Sequence, residues 1–96
     1  MDDIRPSIPQ SPKKFLDQVR LRIRQVGLAY MTEKTYILWI RRFINFHKQR
    51  HPSHMGAKEV TEFLTYLGVQ RHCSVNTQKT ALNALSFLYN KFLGKL

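Results

Sequence analysis

Apolar residues in this chain return every three or four positions, in four runs separated by Gly, Pro and short polar stretches, and they never alternate long enough to make a sheet. That period belongs to amphipathic helices, each with one side that must be buried. Four such helices joined by short connections leave one economical solution, an all-α, small four-helix bundle whose apolar stripes meet in a common core. The 96 residues fit a single unit, and 43% hydrophobic content suffices for a modest core.

The spacing predicts where each helix lies. The first runs from Ser11–Pro12, a helix-start signal, to about Val26, with Phe15, Leu16, Val19, Ile23 and Val26 on one face and Gly27 placed as a left-handed stop. The second runs from Thr32 to about Arg50, before Pro52 forbids continuation. Its inward side carries Tyr36, Trp39, Ile40, Phe43 and His47, and its outward side Lys34, Leu38, Arg41, Arg42, Asn45 and Lys48. A third spans Ala57 to Val69, with Val60, Phe63, Leu64 and Leu67 inside and Glu59 and Glu62 facing out. The fourth is capped by Ser74 and runs to Gly94; Ala81, Leu82, Leu85, Leu88, Tyr89 and Phe92 point inward, while Asn76, Lys79, Thr80, Asn83, Ser86, Phe87 and Asn90 point outward. Residues 1–10 are Pro-rich and aperiodic, which predicts a flexible tail ahead of a folded unit at 11–94.

Charge narrows the function. Sixteen Lys and Arg against six Asp and Glu leave a net +10, which resists compaction and implies an acidic partner, nucleic acid first among them. Cys73 is the only cysteine, so no intramolecular disulfide forms and a reducing cytoplasm is expected. Asp2 and Asp3 give the N-terminus the wrong charge for a signal peptide, and no apolar run approaches a membrane span, so no membrane partner is expected.

On the second helix Lys34, Arg41, Arg42 and Lys48 have only Glu33 as a neighbouring carboxylate, so with Thr35 they are expected to grip phosphates. The fourth helix offers amides and hydroxyls instead: Asn76, Thr77, Lys79, Thr80 and Asn83 can reach base edges or phosphates, and Leu38 and Phe87 on these polar faces could meet a thymine methyl or another protomer. Solvated helix surface, or a bundle that docks an acidic protein, remain the alternatives.

Catalytic and metal chemistry find little support. His47, His51, His54, His72 and Cys73 lie within one stretch, yet there is no Cys-x-x-Cys or His-Glu-x-x-His spacing, and no Gly-rich phosphate loop. Neither metal nor cofactor is expected. His47 falls on the apolar side of its helix and reads as a structural histidine, and Tyr36 and Tyr89 read as core.

Three stretches carry a family resemblance when taken in order: Thr32-Glu33-Lys34-Thr35 leading into Trp39-Ile40-Arg41-Arg42-Phe43, then Val60-Thr61-Glu62-Phe63-Leu64, then Asn83-Ala84-Leu85-Ser86-Phe87-Leu88-Tyr89. Together they resemble the N-terminal, SAM-like core-binding domain of tyrosine recombinases of the phage-integrase type. His51-Pro52, Met55-Gly56 and Glu59-Val60 resemble integron integrases in particular. The resemblance implies an orthogonal bundle that forms one jaw of a DNA clamp, with its second and fourth helices across the major groove of the recombination site. It implies as partners the recombination-site DNA, other protomers of a synaptic complex, and a separate C-terminal catalytic domain of the same protein that performs strand cleavage. Its catalytic His-x-x-Arg-His spacing is mimicked by His47–His51, but too few residues precede it to hold the family's upstream arginine.

Overall fold

The computed structural model describes residues 14–94, which form four α-helices and no strand. The expected Pro-rich tail and the Ser11–Pro12 helix start lie outside these residues. Helix α1 spans Phe15–Gln25, α2 Tyr30–Phe46, α3 Ala57–Val69 and α4 Val75–Ser86. A single 3₁₀ turn, Pro52–His54, precedes α3, and α4 widens into a π-helical segment, Phe87–Phe92.

The core is built from the predicted stripes. Val19 and Ile23 of α1, Ile40 and Phe43 of α2, Phe63 and Leu67 of α3, and Ala81, Leu85 and Leu88 of α4 and its extension are all buried. Phe43 sits at the centre, its ring edge-on to Phe63 at 5.7 Å and to Tyr89 at 6.4 Å. Each large buried side chain contributes about 1.5–3 kcal/mol through removal from water. Tyr89 buries its phenol and donates a hydrogen bond to the Pro52 carbonyl at 2.9 Å, which ties the end of α4 to the α2–α3 connection.

Local signals stop and start the helices. Gly27 adopts φ +82°, and the Gly27 and Leu28 amides donate to the Arg24 and Ile23 carbonyls. This closes α1 by the glycine stop expected from its position. Ser74 caps α4 by accepting from the Thr77 amide at 3.1 Å. At the head of α3 the Gly56 amide donates to Glu59 Oε1 at 2.8 Å.

Several expectations are corrected. Helix α2 starts at Tyr30, two residues before Thr32, and ends at Phe46. Its end is a left-handed turn made without glycine: Lys48 has φ 58° and Gln49 φ 65°, and their amides donate back to Asn45 and Ile44. Lys48 therefore sits past the helix rather than on its outer face. Phe87 is buried and packs on Tyr36, with ring centroids 5.6 Å apart, so it is core and not an exposed anchor. Leu82, expected inside, is 42% exposed. Glu59 turns back to the helix start instead of facing solvent.

The π-helical segment explains the misplacement of Phe87. Phe87, Leu88 and Tyr89 are all buried in succession, which a 3.6-residue period cannot achieve on one face. Widening the turn brings all three inward.

Candidate nucleic-acid interface

Helix α2 has two chemically distinct sides. Its inner side holds Glu33, only 3% exposed, whose two carboxylate oxygens accept from Arg24 Nε and Nη2 of α1 at 2.9 and 3.0 Å. That bidentate bond, more than any other contact, holds the Arg24 guanidinium charged and raises its pKa further. Between about 80° and 180° round the helix from Glu33, the outer side exposes Lys34, Leu38, Arg41, Arg42 and Asn45.

The described carboxylates are not placed to neutralise this outer side. Asp17 pairs with Arg20 at 2.8 Å, Glu33 with Arg24, Glu59 lies 3.6 Å from Arg50, and the exposed Glu62 of α3 forms no ion pair with a described residue. Among the described residues no carboxylate pairs with Arg41, Arg42, Lys48, Arg71 or Lys79. Arg42 lies over the Trp39 ring at 5.1 Å, and Lys34 over Tyr30 at 5.0 Å, so both cations are steered along the helix surface without losing charge.

The predicted site residues are only partly gathered. Arg41 and Asn45 line a groove between α1 and α2 with Lys14 and Arg20. Arg42 and Asn45 line a second groove, between α2 and α3, with Arg71 and Cys73. Cys73 immediately precedes Ser74, the cap of α4, while Asn76 and Lys79 are exposed on α4 and line neither groove. Thr35 is half-buried on α2. Asn83, although exposed, lines a different groove with Val26, Leu28 and Tyr36. Tyr36 lies about 200° around α2 from Lys34, so the structure does not bring Asn83 to the cationic side.

Two hydroxyls of the set are engaged locally. Ser74 Oγ donates to Thr77 Oγ1 at 3.0 Å, and Thr80 Oγ1 donates to the Asn76 carbonyl at 3.0 Å. Arg71, which the sequence reading left out, belongs with the cations. It follows α3 in a non-helical connection, where helical periodicity gives no signal, and only the groove shared with Arg42 reveals it.

Of the candidate catalytic and metal residues, His47, His51 and Tyr89 make contacts within the fold. His47 is half-buried, and its Nε2 donates to the Glu59 carbonyl at 2.9 Å. His51 Nδ1 accepts from the Ser53 amide at 3.1 Å. Burial pushes the Tyr89 phenol up to about 12, which disfavours its nucleophilic form. Among the described residues no three His, Cys, Asp or Glu side chains are grouped to hold a metal ion, and no helix is long and apolar enough to cross a membrane.

Comparison with known proteins agrees with this architecture. Residues 15–96 match the model of the phage integrase N-terminal SAM-like domain. Proteins of Escherichia coli and Pseudomonas aeruginosa, both described as integrase/recombinase, are each 46% identical to this chain over 88 residues, covering 92% of it. The chain spans 26% of the length of these curated relatives. On the strength of a match that takes in all four helices, the chain belongs to the phage integrase N-terminal SAM-like domain family.

Proposed function

We propose that this chain is the DNA-gripping module of a site-specific recombinase of the integron type, which clamps the recombination site while a separate catalytic domain cuts and rejoins the strands. The relatives described as integrase/recombinase support the recombinase role, and their greater length supports a division of labour between domains. On this reading residues 11–94 form the binding domain, its partners are recombination-site DNA and neighbouring protomers, and the chain by itself performs no strand cleavage.

One observation carries the DNA assignment. Carboxylates neutralise Arg20 and Arg24 on the α1 side of the bundle and approach Arg50, while Arg41 and Arg42 on the outer side of α2 have none. Cations held without a carboxylate on a rigid helix suit a polyanion whose charges are regularly spaced. Arg41, Arg42, Lys34 and Lys48 would contact phosphates, with Lys79 and Asn76 approaching from α4.

Charge reversal tests this. In a gel-mobility assay at low salt, Arg41→Glu/Arg42→Glu should lose retardation of every duplex to about the same degree, because phosphate contacts carry no sequence information. Undiminished retardation would remove the outer side of α2 from the interface. Met31 and Leu38, 59% and 40% exposed on the same side, favour a second reading in which an acidic protein docks there. A native chain that fails to retard duplex DNA at low salt would select that reading.

A further inference from the structure

A mostly apolar groove runs between α3 and α4, lined by Met55, Val60, Leu64, Leu82, Leu85 and Tyr89 among others. It shares no lining residue with the grooves that hold Arg41 and Arg42. The two helices are antiparallel along it, because Tyr89 donates to the Pro52 carbonyl ahead of α3 while the Gln78 side chain lies against Gly68 near the other end of that helix. Met55 and Tyr89 therefore mark one end of the groove, and Leu64 and Leu82 the other. Each wall, Ala57 to Leu64 and Leu82 to Tyr89, covers seven residue steps of helix, about 10 Å. Leu82 stands 42% exposed at the far end.

The chain ahead of the described residues starts beside the Met55–Tyr89 end. Phe15 packs edge-on against His51 at 4.8 Å and against Phe92 at 5.4 Å; His51 lies four residues before Met55, and Phe92 three after Tyr89. Within residues 1–13, Pro6, Pro9 and Pro12 bias Arg5, Ile8 and Ser11 towards extended backbone. An extended chain carries Ile4, Pro6 and Ile8 on one side, with Ile4 and Ile8 about 13 Å apart, close to the length of the groove. Ile8 is seven residues from Phe15, a reach of up to about 25 Å, whereas the four residues from His51 to Met55 span at most about 14 Å. The prolines bring no amide N–H to desolvate in an apolar groove. Asp2 and Asp3 are offset by Arg5 and Lys13, so no net side-chain charge draws this segment to the cationic grooves instead. We propose that residues 4–9 form a strap over the α3–α4 groove, Ile8 against Met55 and Tyr89, Ile4 against Leu64 and Leu82. The strap covers Leu82, and it stands apart from the DNA reading.

Methyl NMR on the full chain, labelled at Ile, Leu and Met, tests the strap. The native chain should give nuclear Overhauser cross-peaks from the Ile8 methyls to Met55 and from the Ile4 methyls to Leu82. Ile4→Ser/Ile8→Ser should abolish the cross-peaks and shift the Leu82 methyl signals, while those of the buried Leu85 and Leu88 stay dispersed and so report an intact core. Leu82→Ser, a change at an exposed position, should release Ile4 and leave the Ile8 to Met55 cross-peak in place. Absence of these cross-peaks in the native chain, or Leu82 signals that are the same with and without the two isoleucines, would overturn the proposal. So would cross-peaks that arise only between differently labelled copies in a mixed sample, because a second copy would then occupy the groove.

Discussion

Arg24 and Arg41 are the same residue type on neighbouring helices, yet they play opposite parts. Arg24 donates two hydrogen bonds to a buried carboxylate and fastens α1 to α2, whereas Arg41 is exposed in the groove along the α1–α2 seam and pairs with no carboxylate among the described residues. Net charge cannot tell them apart. What separates them is where Glu33 points, because a carboxylate turned inward stabilises the fold and leaves the outward cations to a ligand. The inner side of α2 should therefore respond to mutation as structure, and the outer side as binding.

The sharpest way to break that division is at Glu33. Glu33→Ala strands the Arg24 guanidinium; because Arg24 is 22% exposed and can reach water, the loss falls at or below the low end for a broken buried pair, about 2–3 kcal/mol in urea unfolding. Duplex affinity of the folded protein should not move. A large change in affinity with the fold intact would mean that the two sides of α2 are not separate.

Lys48 comes next, since it belongs to both accounts. Its left-handed backbone disfavours a side chain, so Lys48→Gly should stabilise by about 0.5–1 kcal/mol in the same unfolding measurement. If Lys48 also meets a phosphate, the substitution should make the salt slope of DNA binding shallower by roughly 0.9. Stability and binding would then move in opposite directions from one residue.

The smallest effect concerns the α3 cap. The Gly56 amide, first among several hydrogen-bonding and charge contacts, holds the Glu59 carboxyl below the ordinary glutamate range. Because the folded value is the lower one, the stabilisation is full above the unfolded value of about 4.3 and is lost as pH falls through the folded value. Glu59→Gln keeps an acceptor for Gly56 but no longer titrates there, so its acid-unfolding curve should be flatter over that window. An unchanged curve would remove Glu59 from the acid response.

The order and type of all four helices were legible because each apolar stripe has a clear period, and both bounds of α3 and the stop at Gly27 follow from ordinary signals. The end of α2 was not, since Lys48 and Gln49 take a turn usually marked by glycine, and Pro52 drew the expected boundary too far along. Phe87 was misread because no sequence pattern announces a π-helical turn. Arg71 was missed for a related reason, lying in a connection where there is no face to assign. The outward placement of Arg41 and Arg42 was readable from helical spacing alone. The pairing of Glu33 with Arg24, which frees that surface from its one nearby carboxylate, required three dimensions.

Salt dependence of duplex binding by the native chain tests the central claim most directly. If about five phosphates are neutralised, the logarithm of affinity should fall against the logarithm of salt concentration with a slope of roughly −4 to −5, and Arg41→Gln/Arg42→Gln should reduce its magnitude by roughly 1.8. A slope near zero, or one that these substitutions leave untouched, would show that the outer side of α2 does not neutralise a polyanion.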